Sequence, residues 1–197
     1  QVEGPISKNR TSFNISLRRS WMDLLLRPAC AIANKGNEEK YNLGYMFHDF
    51  NAKLTHHVNN HTTLWTSLYS GYDNYSVIDK SMWGDNVNDT ENRMTWGNLN
   101  ATLGGDFQIS STLLMQTMLT ATYSYSRQKY NEEDYDIVER GGHRRNYLDT
   151  RLNSTQMIDF AAHANFNWQP TSSHHIHFGV SVTRHQFRPQ TKRQSYY

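Results

Sequence analysis

Apolar and polar residues alternate along most of this chain. In "IDFAAHANFNW", residues 158–168, Ile158, Phe160, Ala162, Ala164, Phe166 and Trp168 are apolar, while Asp159, His163, Asn165 and Asn167 fall between them with Ala161. A period of two is the pattern of a β-strand whose two faces meet different surroundings. Six other stretches repeat it. Phe13, Ile15, Leu17 and Trp21 share one side of the first, opposite Asn14, Ser16, Arg18 and Ser20. The second, near 45–58, sets Phe50, Ala52 and Leu54 against Asp49, Asn51 and Lys53, and the third, near 62–75, is weaker, with Leu64, Leu68 and Tyr72 on one side. Leu99, Ala101, Leu103 and Phe107 mark the fourth, near 93–108. Met115, Leu119, Ala121, Tyr123 and Tyr125 mark the fifth, near 112–129, and Ile176, Phe178, Val180 and Val182 the last, near 174–187. The pattern predicts an all-β fold, an antiparallel up-and-down meander of about seven strands.

The connections alternate too. Asn- and Ser-rich stretches at 59–61, 109–111 and 171–173 are short enough for tight hairpins. The other connections are long, near 22–44, 76–92 and 130–153. A meander of this kind collects its short turns at one end and its long loops at the other, as outer-membrane barrels do. Aromatics follow the same axis. Phe107 and Trp168 lie beside short turns, and Tyr72, Tyr123 and Tyr125 lie toward the long-loop end, as two interfacial girdles require. Two environments suit such strands. In a soluble sheet the apolar face packs on a core; in a membrane barrel it meets lipid and the polar face lines a lumen. Asn, Ser, Thr, Asp and His dominate the polar side of the strand centres, whereas Glu and Arg concentrate in stretches such as "NEEDYDIVERGGHRR". A soluble sheet usually spends those charges along its strands, so the distribution favours the barrel.

Composition narrows the classes further. With 197 residues and a formal net charge of +2, the chain has no strong field for nucleic acid, and its basic residues form no stripe. Mean hydropathy is -0.80, and no apolar run approaches the ~20 residues of a transmembrane helix. The greasiest stretch, Met22 to Ala33, is interrupted by Asp23, Arg27 and Pro28. The single cysteine, Cys30, can form no internal disulfide. His56, His57 and His61 sit at one hairpin and His174, His175 and His177 at another, without a nearby cysteine or paired carboxylate; a surface or lumen role is expected for them rather than a metal centre. No nucleophilic triad, phosphate loop or paired-carboxylate motif stands out, so no enzymatic activity, cofactor or metal is expected.

The stretch "VEGPISKNRTSFNISLRRSWMDLLL", through Gly4, Pro5, Ile6, Ser16, Arg18, Arg19, Ser20, Trp21 and Asp23, resembles the start of the barrel in TonB-dependent outer-membrane receptors, especially their SusC-like nutrient-uptake branch. The likeness continues through Asp49, Asn51, Ala52, Lys53 and Leu54, then Leu68 to Gly71 with Asp73 and Asn74, and in "TWGNLNATL" and "HIHFGVSVTRHQFRP". It implies residues 1–11 as a plug-to-barrel linker and 12–197 as part of a transmembrane barrel of about 22 strands, with extracellular loops near 22–44, 76–92 and 130–153. It also implies a location in the cell outer membrane. The partners it implies are outer-membrane lipid, the remaining barrel and plug, TonB through an N-terminal part not seen here, a paired surface lipoprotein and a nutrient ligand. Arg18, Asp49, Lys53, Asp73 and Asp159 are the expected lumen- or plug-facing ionisable residues, and Arg19, on the opposite side, is expected near an interface.

Overall fold

The computed structural model describes residues 1–137 and 146–197. Its strands are β1 (Val2–Ser7), β2 (Thr11–Arg19), β3 (Lys40–Asn59), β4 (Thr62–Trp83), β5 (Asn86–Ser110), β6 (Leu113–Asp136), β7 (Asn146–Thr171) and β8 (His174–Tyr196), with one helix, α1 (Met22–Ala33), between β2 and β3. They form one sheet in chain order, each strand antiparallel to the next. The sheet is not closed: β1 and β8 are its edges. The antiparallel meander expected from the alternation is therefore present. The tight turns fall where the Asn- and Ser-rich stretches predict them, between Asn59 and Thr62, Ser110 and Leu113, and Thr171 and His174.

Three boundaries differ from the sequence reading. Residues 1–11 are not a plain linker, because Val2–Ser7 pairs with β2 as an eighth strand, turning through Asn9 at a φ of 59°. The stretch 76–92 is not an open loop. β4 and β5 stay hydrogen-bonded to Trp83 and Asn86 and turn through Gly84, whose φ of +62° suits a residue without a Cβ. Of the loop expected over 130–153, β6 extends to Asp136 and β7 begins at Asn146, while residues 138–145 lie outside the described residues. The reason is common to both extensions. A ladder is held by backbone hydrogen bonds, which need no apolar alternation. Here polar cross-strand pairs support it instead, such as Lys80 with Asp89 at 3.5 Å and Gln128 with Asn92 at 3.5 Å.

The register gathers the apolar positions onto a single face. Leu68, Ala101, Ala121 and Phe160 are successive partners across β4 to β7, and Thr62, Phe107, Met115, Phe166 and Phe178 across β4 to β8. The result is a continuous belt. Its side chains are open: Leu103 and Leu119 are 56% and 57% exposed, Val182 68%. Val87 is the one buried hydrophobic side chain among the described residues. This sheet has no interior core for the belt to pack on.

Successive hairpins are staggered. The row entering β4 at its first residue, Thr62, crosses β5 and β6 at Phe107 and Met115, three and two residues from the strand ends. It crosses β7 and β8 at Phe166 and Phe178, five and four residues in. The turns thus drop about one residue per strand; with a rise of about 3.3 Å per residue and about 4.8 Å between strands, a common plane for the turns implies a strand tilt of about 35°. The belt descends in step. On β5 it runs from Phe107 to Gly97, on β6 from Met115 to Tyr125, and on β7 from Trp168 to Ile158, ten residues each time. Ten residues at that tilt span about 27 Å, close to the ~25 Å apolar band of an outer-membrane barrel.

Candidate polar wall of a lumen

The face opposite the belt carries the ionisable residues singled out from the sequence. Arg18 and Asp49 are direct partners on β2 and β3, and the Arg18 Nε donates to Asp49 Oδ2 at 2.9 Å. The Tyr69 hydroxyl donates to the other oxygen of Asp49 at 3.2 Å. One row further, Tyr45 donates to Asp73 at 3.0 Å. The Arg18 guanidinium lies 5.0 Å from the centre of the Phe47 ring. These contacts tie β2, β3 and β4 together on the polar face and take in Arg18, Asp49 and Asp73 of the five residues that alternation placed there. Lys53 lies further down β3, its ammonium 5.3 Å from the Trp65 ring centre. The Trp65 ring in turn covers Gly104, where an added Cβ would run into the indole; a glycine there allows the close packing. Asp159 stands apart from the group. It pairs with His185 on β8 at 2.8 Å.

Arg19 lies on the belt face beside the Tyr72 level, where its β3 partner His48 stacks on Tyr72 at 4.9 Å. It rests 5.5 Å from the Trp21 ring and 3.4 Å from Asp23, so its charge is held at the belt's border.

One cluster was missed by the sequence reading. Asp149 on β7 is fully enclosed, and accepts hydrogen bonds from Arg151 at 2.8 Å, Arg193 at 3.1 Å and Ser195 at 2.9 Å. Arg151 and Arg193 are direct cross-strand partners. Two like charges in that relation repel; the carboxylate between them reverses the sign. Hydrogen bonds, that from Arg193 foremost, hold the Asp149 carboxyl down at about 2 against the desolvation that opposes them. The signal was present in the period-two spacing of Asp149 with Arg151 and of Arg193 with Ser195, but it lay in a stretch read as loop. On the belt face of the β4 extension, the Tyr135 hydroxyl, 3.3 Å away, holds the Lys80 ammonium above its usual range.

The histidines form pairs with threonines: His56 with Thr11 at 2.8 Å, His57 with Thr63 at 2.9 Å and His174 with Thr171 at 2.8 Å. Among the described residues no three His, Cys, Asp or Glu side chains converge as a metal centre would need. What the polar face offers is a wall of hydrogen-bonding groups with paired charges, suited to line water or to seat another polar body.

No family model and no curated protein matches the chain. Among solved structures it is similar to Pseudomonas aeruginosa OccK8 (OprE), an outer-membrane porin, at 9% identity and a TM-score of 0.17, over 94% of this chain and 69% of that one. A superposition at that score carries no fold relationship, so the functional reading stands on the sheet itself.

Proposed function

We propose that the chain supplies eight adjacent strands of a larger outer-membrane β-barrel, and that the whole protein is a TonB-dependent active transporter of a scarce nutrient. The observation that carries the membrane reading is the exposed belt. It is continuous from β4 to β7 and reaches Val182 on β8, is ten residues tall on three central strands, and is bounded by Tyr72, Tyr123 and Tyr125 above and by Phe107 and Trp168 below. Soluble monomers rarely expose apolar patches beyond a few hundred Å², whereas lipid requires this geometry. The open edges support a larger barrel. An unpaired strand edge in hydrocarbon costs several kcal/mol per backbone group, so β8 and β1 need further strands. Active transport rests on the resemblance of the Gly4–Asp23 and Asp49–Asn74 stretches to TonB-dependent receptors. In this reading the Arg18–Asp49–Tyr69 group faces a plug, and the strand extensions beyond the Tyr level stand outside the cell.

The test uses the intact protein in its own membrane. Heat-modifiable migration on SDS gels is expected for a folded barrel, and nutrient uptake is expected to stop when TonB is deleted or the proton gradient is collapsed. Uptake that persists without TonB would identify a passive barrel. A monodisperse, cooperatively folding protein obtained without detergent would remove the membrane reading altogether.

A further inference from the structure

Above the belt, the same face of β5 and β6 is ordered by height. The tyrosines come first, then arginines and lysine, then glutamate and aspartate. Arg93 and Lys129 are direct partners on β5 and β6, and Arg127 is the next residue of β6 on the same face, two positions nearer the belt. Such a juxtaposition of like charges is unfavourable without an anion. Glu91 meets Arg93 at 2.7 Å. Among the described residues neither Arg127 nor Lys129 has an ion-pair partner. The three cations line a concavity of about 560 Å³, whose lower rim is formed by Tyr72, Tyr123 and Tyr125. Helix α1 approaches from the side, where Arg27 and Cys30 share a second concavity with Arg93 and Ile78. With the one-residue stagger per strand, Arg188 of β8 falls at the height of Arg127, with Ser154 and Gln156 of β7 between them.

The geometry points to a seat for the phosphate of a membrane lipid: Arg93, Arg127 and Lys129 hold the phosphate, the tyrosines bracket the glycerol or sugar region, and the acyl chains lie down the belt. This deepens the membrane reading of the preceding subsection and rests on it. Charge complementarity selects the occupant. A cation near an anionic surface is worth roughly fivefold in partitioning, and arginine matches phosphate oxygens through paired N–H groups. The height selects a lipid over a soluble anion, because below the tyrosines the concavity gives onto Leu99, Ala101 and Leu103 of β5 and Ala121 and Leu119 of β6.

The intact protein, placed in nanodiscs of phosphatidylcholine doped with phosphatidic acid, is to be compared with R93Q/R127Q/K129Q, with the milder R127Q, and with R10Q in the β1–β2 turn at the opposite end. Native mass spectrometry reads the phosphatidic acid retained per protein, and heat-modifiable migration reads barrel formation in the same samples. The expected result is strong retention by the unaltered protein and R10Q, a loss of roughly tenfold or more in the triple variant, and an intermediate loss in R127Q. Glycerol phosphate in excess is expected not to displace the lipid. Equal retention by the triple variant in a formed barrel would overturn the seat while leaving the membrane reading intact. Ready displacement by glycerol phosphate would also overturn it, assigning the cations to a soluble anion. A protein that never forms a heat-modifiable barrel would remove both.

Discussion

Adjacent residues on these strands point to opposite faces of the sheet, in the membrane reading to two different media, and substitution can show it. Leu119 lies in the middle of the belt on β6, and Thr120 points to the polar wall. Leu119→Arg is expected to lower the stability of the folded barrel by about 2–4 kcal/mol, the cost of arginine at the bilayer midplane. Thr120→Arg is expected to cost clearly less, because a polar lumen solvates the guanidinium. Urea unfolding from lipid vesicles measures both, and equal costs would mean that the two faces are wrongly assigned. A second residue-scale expectation concerns Asp149. Its carboxyl has a folded pKa of about 2, below the unfolded value of ~3.9. The stability it contributes is therefore complete above about pH 4 and disappears as pH falls through about 2. Amide protection relative to the intrinsic exchange rate should fall along the β7–β8 extension across that window. Asp149→Asn should show the lower protection at all pH values and little further change, since it has no charge to lose. Reading single residues from sequence succeeded where alternation was strong. Arg18, Asp49, Lys53, Asp73 and Asp159 were placed on one face by parity alone. Parity says nothing of partners, and so could not tell that Asp49 and Tyr69 would share a hydrogen bond across twenty residues.

At the level of elements, legibility followed the surroundings of each strand. Within the belt, the contrast between two media writes itself into every second residue, as in Ile176, Phe178, Val180 and Val182. Above it both faces are polar. The ladder from Asn74 to Trp83 and from Asn86 to Thr95 is as regular as the rest, yet its sequence shows no period. α1 was hidden for another reason, since Asp23, Arg27 and Pro28 interrupt the run that forms it. Pro28 sits in the second turn of the helix, and Ser20 Oγ accepts the Met22 N–H at 3.2 Å just before the helix begins. Trp21, Leu24, Leu25 and Ile32 remain exposed on and beside it. In the membrane reading, its place at the upper border of the belt puts this amphipathic helix at the level of lipid headgroups. Trp21 fluorescence is expected to be quenched by lipids brominated near the glycerol and weakly by lipids brominated at the chain ends. The reverse order would place α1 elsewhere. Between β4 and β5, Gly104→Val should displace the Trp65 ring and cost about 1–3 kcal/mol, the usual penalty of overpacking, in the same vesicle unfolding assay.

For the whole molecule, the stagger of the hairpins is a quantity that can be measured. Polarised infrared spectra of the protein in oriented bilayers are expected to give a strand tilt of about 35°, within the range of closed membrane barrels. A tilt near zero would be incompatible with turns lying in one plane. The stagger also dictates which residues a solute meets at the same moment. Hydrogen-bonded neighbours are not level neighbours: a slice cut parallel to the membrane climbs through the ladder by one position at each strand. Cut midway down the polar wall, it passes through Arg18, Asn51, Tyr69, Thr102, Thr120, His163 and Ser181. This arc holds hydroxyls, an amide and an imidazole, and at its β2 end the Arg18 guanidinium, which Asp49 already holds. In the channel reading, a solute at this depth meets hydroxyl, amide and imidazole groups on six strands and a charge on one alone.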